Sequence, residues 1–248
     1  MNGMTDRTLL RLSGSDAQDF LQGLITNDVT GAQNGLVYAA LLTPQGKYIA
    51  DFFVLAHGDG LLIDVATSHS PLLAQRLAMY RLRADVQIDE SPLKVSRGTG
   101  PAPDSALQDP RHPALGWRHY SDNDSADTDT TDWDALRVAH VIPETGIELT
   151  PDTYILEAGF ERLNGVDFRK GCYVGQEIAA RMKHKTELKK GLVQVAITGS
   201  APVGTDLTAD GKPVGTVFTQ SGGHALAYLR FDRATGPMQA GEAVVHRT

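Results

Sequence analysis

The sequence predicts an α+β fold with a small β-structure at its C-terminal end, and three observations carry that reading. Strand-like and helix-like periodicities alternate through roughly the first 90 residues. Residues 191–248 hold short β-type runs separated by Asp210-Gly211 and Gly222-Gly223. The apolar stretches, such as 36–42 and 49–56, are of strand length, far short of the ~18–20 apolar residues a membrane helix needs.

The elements follow in order. Residues 8–12 alternate and stop at Ser13-Gly14, after which Ser15 is placed to cap a helix with Ala17, Phe20, Leu21 and Leu24 on its apolar face. Residues 36–42 and 48–55 flank Thr43-Pro44-Gln45-Gly46-Lys47, a turn whose proline and glycine reverse the chain into a hairpin. A third strand-like run at 61–65 leads into 71–83, where Leu72, Leu73, Leu77 and Tyr80 fall at helical spacing. Glycines and prolines break residues 91–119 into pieces without a regular period. Residues 121–134 hold six aspartates and no basic residue, the pattern of an exposed, mobile segment, and lack the glycine and terminal glutamate of a calcium loop. The runs at 192–197, 214–219 and 225–231 then form a small β-barrel or sandwich.

Composition bounds the function. The 248 residues suffice for one large domain or a few small modules, and 41% hydrophobic with 21% charged residues is ordinary for a globular chain. A single cysteine excludes an internal disulfide, and residues 1–11 show no secretory h-region, so a reducing cytoplasm is the expected setting. The net charge of −7 opposes whole-molecule attraction to nucleic acid. Locally, residues 169–190 carry seven Lys/Arg against two Glu. No G-x-S-x-G elbow, Walker A loop or dinucleotide fingerprint occurs.

The chemistry concentrates around the one cysteine. Gly171 precedes Cys172, and Gly175-Gln176-Glu177 open an apolar-periodic run, which predicts a thiol on a glycine-flanked turn at a helix N-terminus, beside Arg169 and Lys170. One cysteine cannot hold an iron–sulfur cluster, which takes about four protein ligands. The eight histidines show no close ligand spacing, so no intrinsic metal site is expected.

The run Phe168-Arg169-Lys170-Gly171-Cys172-Tyr173-Val174-Gly175-Gln176-Glu177, followed by Ala180-Arg181, resembles the signature of YgfZ-type proteins. Those proteins act in iron–sulfur cluster assembly or maintenance, bind tetrahydrofolate and are related to the glycine-cleavage T-protein. The likeness extends to residues 20–29, to Leu42-Thr43-Pro44-Gln45-Gly46-Lys47 and to Pro143-Glu144-Thr145-Gly146. It implies a T-protein-like multi-domain arrangement: residues 1–50 and 133–190 as two parts of a folate-binding domain, 51–132 as an inserted α+β domain and 191–248 as a β-barrel.

Residue by residue, the resemblance implies catalytic roles for Cys172, Lys170 and Asp51, and folate contacts from Trp133, Lys170, Tyr173 and Asp51. Asp51 falls where T-proteins carry the aspartate that assists aminomethyl transfer, whereas Asp28 is as readily a cap or turn residue. Gly175, Gln176 and Glu177 shape the turn. The chain departs from the pattern at Ala139-His140-Val141, where relatives often read E-A-G and use the glutamate to seat the pterin. The expected function is a folate-dependent accessory protein in iron–sulfur assembly, with tetrahydrofolate or another reduced folate as cofactor. Assembly proteins or client enzymes are its expected partners, with no membrane or direct nucleic-acid partner and a monomeric state. Aminomethyl transfer and tRNA modification are the alternatives; a motif centred on a thiol has no evident use in the first.

Overall fold

The computed structural model describes residues 6–122, 130–185 and 187–248. The chain folds into two compact units, Met1–Thr131 with Glu161–Ile178 and Asp132–Phe160 with Ala179–Thr248.

The first unit is built on a five-stranded antiparallel sheet in the order β2-β3-β4-β1-β5. Its strands are β1 (Arg7–Ser13), β2 (Val37–Leu42), β3 (Tyr48–His57), β4 (Gly60–Ala66) and β5 (Gln87–Ser91). Period-two alternation sends Leu10, Leu12, Ala39, Leu41, Phe52, Val54, Ile63 and Val65 to one face, where they pack against Ala17 and Leu21 of α1 (Ala17–Gln22) and Leu73 and Leu77 of α2 (Ser70–Arg81). The expected domain boundary at 50/51 falls inside β3, which pairs with β2 on both sides of that position and with β4 from Phe52 onward. Ser15 does not cap α1: its N–H and hydroxyl both go to the Asp85 carboxylate, and Asp16 takes the cap position.

The opposite face of the sheet is also buried, and it mixes leucines such as Leu9, Leu55 and Leu62 with polar side chains. Tyr38, Asp51, Phe53 and Asp64 project there, the two aspartates at 5% and 0% exposure. Residues 91–119, aperiodic in sequence, contribute β6 (Lys94–Gly98), β7 (Leu107–Gln108) and, running to Ser121, β8 (Trp117–Ser121), in the sheet order β6-β8-β7. Asp64 accepts from Arg7 at 2.6 Å, Arg118 at 2.7 Å and the Tyr120 hydroxyl at 2.9 Å. Asp109 holds Arg111 through two bonds of 3.0 and 2.8 Å. The guanidinium carbons of Arg118, Arg111 and Arg7 lie 4.2, 4.9 and 5.7 Å from the Phe53 ring centroid. The acidic stretch read as a mobile segment falls largely at 123–129, outside the described residues.

The second unit contains a closed barrel in the order β10-β11-β12-β9-β14-β13. Its strands are β9 (Lys190–Thr198), β10 (Thr205–Ala209), β11 (Lys212–Ser221), β12 (His224–Arg230), β13 (Met238–Ala240) and β14 (Ala243–Arg247). Closure leaves a barrel rather than a sandwich, because β10 pairs with β13 as well as β11. Val195, Ile197, Leu207, Val217, Leu229, Met238 and Val245 fill it, with alanines where space is short.

Burial alone would raise the Asp64 pKa, but Arg118 and Arg7 outweigh it and bring it from 3.8 down to about 2. A depressed carboxylate stabilises the fold above the unfolded pKa and loses that contribution as pH falls toward 2. Asp64→Asn is therefore expected to cost roughly 3–5 kcal/mol in urea unfolding at pH 6, because it strands the buried Arg118 guanidinium and the half-buried Arg7. The gap between variant and wild type should narrow between pH 4 and pH 2, as Asp64 itself protonates.

Candidate functional site

Two stretches far apart in sequence meet in the first unit. Thr26 donates its hydroxyl to Gly165 O at 2.7 Å, the Asp167 amide donates to Thr26 O at 3.0 Å, and Asn27 Nδ2 donates to Asn164 O at 2.7 Å. Lys170 completes the seam: its Nζ donates to the carbonyls of Gln22 and Ile25, both at 2.6 Å. Those carbonyls lie at and just beyond the C-terminal end of α1, where backbone acceptors lack helical partners and a cation is favoured. Burial pushes the Lys170 ammonium down to about pKa 8, although Asp28 and Asp167 act to raise it.

Beyond Lys170 the chain alternates between outside and inside. Gly171 and Cys172 are exposed, Tyr173 is buried, and Val174 packs against the core of the first unit. The Tyr173 ring stands 5.2 Å from Lys170 Nζ. Its hydroxyl is buried and makes no hydrogen bond among the described residues, and burial drives its pKa up to about 12. Gly175, at φ +84°, then lies against the hairpin turn: a Cβ there would stand 2.6 Å from Thr43 O and 3.2 Å from Gly46 Cα. Gly46, at φ +74°, is restricted by a different neighbour, Ile178, whose Cβ would stand 2.8 Å from an added Cβ. Gly175 lets the cysteine loop, and Gly46 the segment that follows it, approach the Thr43–Lys47 turn closely.

The cysteine itself corrects one expectation. The following helix, α4 (Gln176–Lys185), begins four residues after Cys172, so the thiol lies on an exposed loop and not at a helix N-terminus. The influence of helix-end charge is confined to about the first turn. Arg169 is turned to solvent and approaches Asp167 at 3.6 Å.

Asp51 resolves the question of a carboxylate in an apolar strand by having partners. Its two oxygens accept from the hydroxyls of Tyr38 at 2.9 Å and Tyr48 at 2.7 Å. Asp28 caps the 3₁₀ turn Val29–Gln33, accepting from the Thr30 amide and hydroxyl, and those bonds hold its pKa below the usual aspartate value. Lys170, Cys172 and Tyr173 thus share one loop, while Asp51 lies on β3 of the same unit. Trp133, the first residue of α3 (Trp133–His140), belongs to the second unit. Among the described residues no three His, Cys, Asp or Glu side chains are grouped to hold a metal ion.

Sequence reasoning missed a second buried cluster. In the second unit Arg137 pairs with Glu148, whose carboxylate also accepts from the Thr219 hydroxyl at 2.6 Å and the Glu144 amide at 2.9 Å. The Pro143-Glu144-Thr145-Gly146 segment is thereby fixed to β11. Val141 ends α3 at φ +53°, the left-handed position that glycine ordinarily takes.

Comparison with known proteins places these features in context. Residues 189–248 match the family described as CAF17, C-terminal beta-barrel domain. Iron-sulfur cluster assembly factor IBA57, mitochondrial, of Homo sapiens is 30% identical over 278 residues, covering 94% of this chain and 78% of the human protein. Its Mus musculus counterpart is 29% identical over 280 residues, with the same coverages. The crystal structure of glycine cleavage system aminomethyltransferase T from Bartonella henselae superposes with a TM-score of 0.72 at 14% identity, covering 99% of this chain and 84% of that one. The fold is accordingly T-protein-like. The expectation of a cytoplasmic setting is overturned, since these assembly-factor relatives are mitochondrial by name. A single unpaired cysteine fits any reducing compartment, so composition could not make that distinction.

The Lys170 pin is open to direct test. A ¹³Cε NMR titration is expected to place its midpoint near pH 8 and not 10.5. Because folding favours the neutral amine, the cost of burying the ammonium is fully present below pH 8 and is relieved as pH rises toward 10.5, so stability attributable to this group increases across that window. Lys170→Ala leaves two carbonyls without their donor, and amide exchange in residues 169–175 is expected to accelerate about tenfold, equivalent to roughly 1.4 kcal/mol.

Proposed function

We infer the function from one premise: this chain belongs to the YgfZ-type family of iron–sulfur cluster assembly factors that includes IBA57 of Homo sapiens and Mus musculus. It acts in iron–sulfur cluster assembly or maintenance, and Cys172 is the group that meets the cluster or its carrier. The observation that carries this reading is the build of the cysteine loop. Lys170 and Tyr173 are buried and the two glycines are fitted closely, so that the loop offers the Cys172 side chain to solvent on a fixed backbone.

One thiolate supplies one ligand of the ~4 a cluster takes, so the remaining ligands come from a protein partner. Cargo held in this shared way can be handed on, because losing one thiolate releases it.

A reduced folate is the proposed small-molecule ligand, and when bound it would supply one-carbon or reducing chemistry. Of the residues carried over for it in the first unit, Tyr173 has a buried hydroxyl that makes no hydrogen bond among the described residues, a site awaiting a polar partner. The Lys170 ammonium is held by two carbonyls, and both Asp51 oxygens receive tyrosine hydroxyls. The engagement of Asp51 weighs against aminomethyl transfer, which needs that carboxylate turned to the folate.

Two measurements test this. Cys172→Ala, a change at an exposed position, should melt within about 2 °C of wild type. It should nevertheless fail to restore iron–sulfur enzyme activity in cells depleted of the native protein; full rescue would overturn the thiol assignment. Calorimetric titration with tetrahydrofolate should show binding that Tyr173→Phe weakens by about tenfold, the worth of one buried hydrogen bond. Absence of binding by wild type would remove the folate from the reading and leave the thiol untouched.

A further inference from the structure

We propose that the C-terminal end of α2 and the turn after it form a docking surface for a protein partner presenting an apolar socket rimmed by carboxylates. Leu82 is the anchor. Its backbone stands at φ +46°, ψ −102°, and the Ala84 amide donates to Arg81 O at 2.8 Å, which makes Leu82 the first central residue of a type II′ turn. Glycine is the residue for that position, because a Cβ is strained there. The chain instead carries a leucine that gains nothing from the fold in return, since it is 89% exposed. A strained backbone with no internal benefit points to a role outside the fold.

Leu82 is not alone. Of the five exposed large apolar side chains among the described residues, three lie in this stretch: Leu72, Met79 and Leu82. Leu72 and Met79 are seven residues apart, two turns along one face of α2, and Leu82 follows at the end of the helix. Arg76, Arg81 and Arg83 flank them, and no Asp or Glu occurs between Asp64 and Asp85. The two acids that bound this stretch in sequence are committed elsewhere: Asp64 accepts from Arg7 and Arg118, and Asp85 accepts from Ser15. The Arg76 Nε is buried with no hydrogen-bond partner among the described residues.

Charge selects the occupant. A second copy of the chain packed face to face would oppose arginines to arginines. An anionic lipid surface would repel a molecule whose net charge is −7. An acidic protein surface meets only the arginine-rimmed patch, pairs guanidinium with carboxylate and buries the leucine and methionine. Identifying that partner as a component or client of cluster assembly rests on the function proposed above.

The test uses the full chain. Leu82→Gly should raise the melting temperature by about 2–4 °C, because it relieves the turn and removes no packing. In depleted cells it should restore iron–sulfur enzyme activity about tenfold less well than wild type at equal protein level. Arg83→Glu should lose rescue similarly, and Arg83→Lys should keep most of it. Full rescue by Leu82→Gly and Arg83→Glu would overturn the docking surface, and Cys172→Ala run alongside reports separately on the thiol assignment. Flotation of wild type with vesicles of 70% phosphatidylcholine and 30% phosphatidylglycerol, lost in Leu82→Gly, would also overturn it, by assigning the patch to lipid.

Discussion

A carboxylate with no exposure to solvent, Asp64, sets the terms on which the first unit folds. Its oxygens are shared between Arg7 on its own sheet and Arg118 and Tyr120 from the three-stranded sheet. Burying an ion costs several kcal/mol unless its partners are complete, so the three-stranded sheet can settle only where those donors meet Asp64. The same face stacks three guanidinium groups around Phe53 and places Arg111 5.4 Å from the Tyr38 ring, whose hydroxyl holds Asp51. What in a simpler sheet would be a second apolar core is here a polar lattice that fixes position as well as attraction.

The cysteine loop repeats that logic at smaller scale. A lysine caps carbonyls at the end of a short helix, a threonine and an asparagine join the same two stretches, and paired glycines let the loop meet the hairpin turn. Of these residues only Lys170 looks, in sequence, like a candidate for chemistry. Structurally most of them serve to hold one thiol in the open. Next to Cys172, the Lys170 ammonium is held by two carbonyls, while the buried Tyr173 hydroxyl makes no hydrogen bond among the described residues.

Strain marks two further positions. Val141 takes the left-handed site at the end of α3, where the adjoining segment is tied through Glu148 to the barrel and so cannot relax. Leu82 also sits in a tied turn, with Arg81 donating to Val86 O at 3.3 Å and Asp85 held by Ser15 and Asp16. The two differ in the side chain: Val141 is partly buried, whereas Leu82 is 89% exposed.

Local pattern determined a good deal by itself. The alternation in β1, the strand-length apolar runs of β2 to β4, the helical spacing of Leu73 and Leu77, the Thr43–Lys47 turn and the barrel turns are all properties of neighbouring residues, and they were legible. So was the motif, because its glycines and cysteine are contiguous. Residues 91–119 were not legible: β6, β7 and β8 are two to five residues long and are defined by whom they pair with. Nor could the sequence tell whether Asp51 was a base or a held acceptor, or that Lys170 points at carbonyls more than 140 positions away. Those facts depend on which side chains meet across the fold, and a buried charge is defined by its partners, which only the tertiary structure supplies.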